Sequence, residues 1–134
     1  HNNIGALFTE LKEYKKSIYH FEKAISTKPN CPVAYSNLGN TYKALGEYQK
    51  AVSMYKKAIE VNPNYTDSYY NLGTLFEQLN EFDEAIKNYK KAIELNSNFA
   101  EAYSNLGNLL KEIGKVDEAK KYEGSELQYL VYHK

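Results

Sequence analysis

The chain has no tryptophan, one methionine, three prolines and one cysteine. The lone Cys31 excludes an internal disulfide. It fits a reducing compartment, and the expected setting is the cytoplasm. Its position at a junction between repeated segments reads as that of a small packing residue, not a reactive thiol. Net charge is missing too, because 17 basic and 17 acidic side chains cancel. That removes the electrostatic reason to expect nucleic acid or an anionic membrane as a partner. No apolar run approaches the roughly 20 residues that span a bilayer, and no signal or transit peptide is evident. His1 opens inside a repeating pattern, so the N-terminus is expected to be a fragment boundary. His1, His20 and His133 show no metal-ligand spacing with one another or with Cys31. There is no glycine-rich phosphate loop and no Ser/His/Asp set, and the carboxylates are scattered singly. The expectation is a chain with no catalysis, no metal and no cofactor.

What the chain has in abundance is tyrosine, with 14 residues, and a period. Asn3, Asn37, Asn71 and Asn105 lie 34 residues apart, each followed two residues later by Gly5, Gly39, Gly73 or Gly107. Tyr35, Tyr69 and Tyr103 recur in the same register, as do Ala51, Ala85 and Ala119, and Ala24, Ala58 and Ala92. A fixed period of this length marks stacked supersecondary units. The register divides the chain into a truncated first repeat at 1–31, then 32–65, 66–99 and 100–122, with a tail at 123–134.

Within the second repeat, Tyr35, Leu38, Gly39 and Tyr42 form one helical stripe at i, i+3, i+4 and i+7. Gly46 punctuates it. Tyr48, Ala51, Val52, Tyr55, Ala58 and Ile59 form a second stripe, which Asn62-Pro63-Asn64 stops. The third repeat matches with Tyr69, Leu72, Gly73 and Phe76, then Phe82, Ala85, Ile86, Tyr89, Ala92 and Ile93. Each repeat is therefore expected to be a two-helix hairpin. A mid-helix glycine costs about 1 kcal/mol relative to Ala, so its recurrence implies a helix contact too close for a Cβ. The alanines offer small surfaces to bulky Tyr and Phe.

The series Tyr35, Leu38-Gly39, Tyr42, Ala51, Tyr55, Ala58, Pro63 resembles the tetratricopeptide repeat (TPR). The third repeat reads Tyr69, Leu72-Gly73, Phe76, Ala85, Tyr89 and Ala92, with Ser97 in place of the proline. The fourth keeps Tyr103, Leu106-Gly107 and Ala119, but puts Glu123 and Glu126 where an aromatic and an alanine belong. Within the family, the run Tyr-Ser-Asn-Leu-Gly-Asn at 35–40 and again at 103–108 looks most like the repeats of O-linked N-acetylglucosamine transferases. The resemblance implies an all-α, right-handed α-solenoid of stacked antiparallel helix hairpins, whose first helices line a concave groove. It also implies a protein-interaction module. The alternatives are the substrate-recruiting region of a larger enzyme such as a glycosyltransferase, or an architectural scaffold segment.

At 100° per residue, Asn37 and Asn40 point away from the Tyr35–Tyr42 stripe, together with Val33 and Ala44. The equivalent positions are Asp67, Asn71, Thr74 and Gln78, then Glu101, Asn105, Asn108 and Glu112. Lys43, Tyr70, Glu77, Ser104 and Lys111 flank them. The expected peptide-binding set is Asn3, Asn37, Asn40, Asp67, Tyr70, Asn71, Thr74, Asn105 and Asn108, with Tyr70 a stacking or apolar contact. A side-chain amide donates and accepts, so it can pair with a partner's backbone whatever the partner's sequence. The resembling transferases use an Asn ladder in this way. The bland alternative is that Asn was copied with the repeat and only bonds a neighbouring helix or water. A clamp for a terminal carboxylate is excluded, since Asp67, Asn71, Glu101 and Asn105 stand where Lys and Arg are needed. The pairs Lys56-Lys57 and Lys90-Lys91, near Glu60 and Glu94, read as solvated surface.

In the tail, Gly124-Ser125 interrupts the pattern. Leu127, Leu130 and Val131 form a short capping helix in one reading and an appended segment in another. In a third, residues 127–132 dock in a neighbouring molecule. A protein or peptide partner and a monomeric chain are expected, with tail-mediated self-association as the alternative.

Overall fold

The computed structural model describes the backbone of residues 2–123 and the side chains of residues 10–123. The reading of the tail at 124–134 lies outside the described residues. Among those described the chain is all-helical: α1 Asn2–Thr27, α2 Pro32–Ala44, α3 Tyr48–Val61, α4 Thr66–Gln78, α5 Phe82–Leu95, α6 Ala100–Glu112 and α7 over 116–123. The described residues divide into two compact units, the first ending at Ser68 and the second beginning at Tyr69.

In the first unit α2 packs on both α1 and α3. Leu38 on α2 and Ala51, Val52, Tyr55 and Ala58 on α3 form the buried face, and Ala34 and Thr41 add a second buried edge to α2. Pro32 starts α2 at a position where its missing N–H is no loss. The helix stops at Gly46, which has φ +79°. Gly46 N donates to Lys43 O at 3.0 Å and Glu47 N to Tyr42 O at 2.9 Å. These two bonds define a Schellman motif, whose left-handed residue favours glycine.

The second unit repeats the device twice. Asn80 has φ +62° and Gly114 φ +88°, with Glu81 N to Phe76 O at 2.8 Å and Lys115 N to Leu110 O at 2.7 Å. Asparagine serves at the middle site because its short polar side chain tolerates the left-handed region. The same register in the first repeat holds Lys12, and there the expected hairpin is absent: α1 runs unbroken for 26 residues. Lysine supplies no left-handed stop, and nothing else between Leu11 and Tyr14 breaks a helix.

The loop after each second helix is equally regular. Asn64 N donates to Asn62 Oδ1 at 3.0 Å, and Asn98 N to Asn96 Oδ1 at 3.1 Å. The leading asparagine makes the turn in both cases, so Ser97 can replace Pro63 without changing it.

Gly39 and Gly73 stand where the sequence requires close approach. A Cβ on Gly39 would lie 2.7 Å from Tyr55 Cε1, and one on Gly73 2.6 Å from Tyr89 Cδ1. Gly107 departs from the expectation. The atom nearest its Cβ would be the Glu123 Cγ, at 3.2 Å, because the partner aromatic is gone. Lys91 pairs with Glu94 on the surface of α5, whereas Lys90 reaches across to Glu118 of α7 at 2.8 Å.

Candidate functional site

The polar positions of the first helices keep to one side of each helix. In the first unit Asn40 and Asp67 are exposed and Asn37 is half-buried. Thr41 Oγ1 donates to the Asn37 backbone carbonyl at 3.0 Å, leaving the Asn37 amide side chain out of that bond. The Tyr55 hydroxyl donates to Asn40 Oδ1 at 2.5 Å. Asn40 is thus tied down within its own hairpin through its oxygen, and its N–H₂ is left to donate. Asn3 lies outside the described side chains.

The second unit brings Thr74, Asn105 and Asn108 together with Glu77, Gln78 and Tyr89 around an open cleft of about 340 Å³. Asn105 Nδ2 donates to the Tyr70 hydroxyl at 2.9 Å. The Tyr70 ring packs against Phe99 at 4.8 Å and Tyr89 at 6.1 Å between centroids. Tyr70 is therefore half-buried among aromatics and orients Asn105. Asn71 is half-buried, and its backbone carbonyl accepts from Thr74 Oγ1 at 2.9 Å. A larger depression of about 510 Å³ follows the turn at 80–84 and Ile113, and it contains none of the sequence-predicted residues.

Tyr89 is the lining residue that the pattern missed. It reads as core, and it is fully buried, yet its hydroxyl reaches the cleft and donates to Glu77 Oε1 at 2.8 Å. The signal was available in the choice of Tyr over Phe: a buried phenol needs a partner, so its oxygen must reach polar ground. Tyr55 and Tyr89 occupy the same register and choose different acceptors. Where Tyr55 has Asn40, Tyr89 has Thr74, so it turns to Glu77.

Burial pushes the Tyr55 phenol up to about 12. Burial raises Tyr89 as well, and its bond to Glu77 adds to the rise. A phenol whose folded value exceeds its ordinary value of about 10 stabilises the fold below that value. That contribution is lost as pH climbs towards about 12. The urea midpoint should therefore fall steeply with pH across this window, and Tyr55→Phe should flatten the fall. A midpoint indifferent to pH there would contradict the burial of both hydroxyls.

Among the described residues no group of three or more His, Cys, Asp or Glu could hold a metal ion. None of their helices is long and apolar enough to cross a membrane.

Profiles of the TPR repeat match residues 5–46 and 74–114, over half of the chain, and tetratricopeptide repeat profiles match 32–65 and 54–87. No curated protein matches the chain. Among solved structures, a crystal structure of MamA is similar with a TM-score of 0.84 and 28% identity, over 97% of this chain and 76% of that one. A second MamA crystal structure gives 0.79 and 29%, over 95% and 69%. A MamA RS-1 double mutant shares the fold at 0.79 with 18% identity, over 96% and 72%. With its Schellman-stopped hairpins, its glycine-on-tyrosine contacts and these matches, the chain belongs to the tetratricopeptide repeat family, a family of all-α protein–protein interaction modules.

Proposed function

We propose that the chain binds an extended peptide segment of a partner protein through the amide-bearing face of its first helices. The observation that carries this reading is the cleft of the second unit, where Thr74, Asn105 and Asn108 surround an open polar space. Asn is a poor helix former, costing about 0.5 kcal/mol or more in a helix interior relative to Ala. Its recurrence on an accessible face is explained by a ligand that needs both a donor and an acceptor. Asn105 is held in place by Tyr70, so less ordering is needed when a peptide arrives. Asn71 is the equivalent amide on α4, and Asn37, Asn40 and Asp67 are the corresponding groups of the first unit. A monomer in a reducing cytoplasm, consistent with the single free Cys31, is part of the same reading.

The test is selection from a random peptide library on the parent chain and on an Asn37→Ala, Asn71→Ala, Asn105→Ala variant, both first shown to be helical. Peptides enriched on the parent and lost on the variant are expected. Tyr70→Phe, which frees Asn105 but keeps the ring, should retain most of the binding. Equal enrichment on parent and triple variant, or none on either, would sink the proposal. A second reading rests on the Tyr-Ser-Asn-Leu-Gly-Asn runs at 35–40 and 103–108: the chain as the recruiting region of a larger glycosyltransferase. A catalytic domain in the same reading frame is its test.

A further inference from the structure

One position of the repeat changes sign along the chain: Lys43, Glu77 and Lys111 share a register. So do Tyr55, Tyr89 and Glu123 on the opposing helices. In the last repeat, Lys111 is neutralised by the Glu123 carboxylate. In the middle repeat, Glu77 receives only the Tyr89 hydroxyl, at 2.8 Å. That neutral donor leaves the charge uncompensated. Among the described residues Glu77 takes part in none of the ion pairs.

The cleft around Glu77 is lined by one carboxylate, three side-chain amides, a threonine hydroxyl and a phenol, with no cation. One N–H of the Asn105 amide goes to Tyr70, and its carbonyl oxygen can accept from a ligand. Other charges at the polar positions of the second unit favour the same ligand, since Glu101 and Glu112 are both exposed. A half-buried carboxylate paired with no cation is best satisfied by a donor that carries positive charge. The volume, about 340 Å³, lies at the small end of ligand pockets, which run from roughly 300 to 1,000 Å³. It suits one long side chain rather than a folded surface.

We propose that this cleft takes a lysine or arginine side chain of the bound segment, with the Glu77 carboxylate as its counter-ion. The inference rests on the peptide-binding reading and gives it a sequence requirement. The amides contact the partner's backbone, and Glu77 selects a cationic residue at one position.

The probe is the same random peptide library, selected on the parent and on Glu77→Gln. Glutamine keeps an acceptor for Tyr89, so the variant should stay folded, which its helical circular dichroism will verify. Parent-selected peptides should share a Lys or Arg at one position. For a synthetic peptide of that kind, Glu77→Gln and replacement of the cation by norleucine should each weaken binding by about tenfold. The two changes together should weaken it no further. Enriched peptides that lack a fixed cation, yet are lost on the triple Asn variant, would overturn this inference and leave the peptide-binding reading standing. A cationic peptide bound equally by Glu77→Gln would also overturn it. No enrichment on the parent would overturn both.

Discussion

Tyr89→Ala should lower the stability of the second unit by about 4 kcal/mol, the cost of deleting a large aromatic from a core that cannot collapse around the space. Tyr89 is fully buried and fills the groove left by Gly73. It supports Tyr70 at 6.1 Å and through it the orientation of Asn105. Truncation should therefore loosen the cleft as well as the core. Tyr89→Phe keeps the ring and removes only the hydroxyl that Glu77 accepts. It should cost about 1 kcal/mol, the usual net value of one hydrogen bond. Repeat proteins need not unfold in one step, so hydrogen exchange of the α5 amides is the appropriate measurement. A loss below about 1 kcal/mol for Tyr89→Ala would mean that the ring is not a structural member, contrary to its complete burial.

The same substitution should have opposite effects at two positions of the same register. Gly73→Ala places a Cβ 2.6 Å from the Tyr89 ring, at an atom close to its backbone attachment. The ring is enclosed and cannot swing aside. Overpacking of this kind costs about 1–3 kcal/mol, which outweighs the gain of about 1 kcal/mol from replacing a helical glycine. A net loss of about 1–2 kcal/mol is expected. Gly107→Ala instead meets the middle of the half-exposed Glu123 side chain at 3.2 Å. That chain can shift by a few tenths of an ångström while keeping its pairing with Lys111. The propensity gain should then prevail, giving a small stabilisation of about 0.5 kcal/mol. Urea denaturation of both variants reads the signs directly. Destabilisation of similar size at both positions would show that backbone crowding, not the opposing side chain, governs this register.

The hairpins of residues 32–112 were legible because their signals are local. Apolar stripes at helical spacing, Gly46 and the Asn-Pro-Asn stop are read within a few residues of where they act. The first repeat was misread because its stop is defined by something absent. Lys12 occupies the left-handed position, and counting stripes does not reveal that α1 must run on. Ser97 looked like a departure and proved immaterial, since Asn96 makes the turn. The candidate site was legible only in part. Helical geometry put Thr74, Asn105 and Asn108 on one accessible side of their helices. The Tyr70–Asn105 bond joins residues 35 apart, and the Tyr89–Glu77 bond crosses a hairpin. Both depend on how far a phenol projects from its helix, which periodicity does not encode. The loss of an aromatic at Glu123 was visible in sequence, but its consequence for Gly107 needed the packing.

The most direct test of the central claim observes the amides themselves. A library-selected peptide would be titrated into the isotope-labelled chain, and the side-chain NH₂ resonances followed by nuclear magnetic resonance. The account predicts that the signals of Asn71, Asn105 and Asn108 move on saturation, while the backbone of the Lys56-Lys57 and Lys90-Lys91 surfaces stays still. Movement confined to those lysine-bearing helices, with the asparagine amides unperturbed, would contradict it.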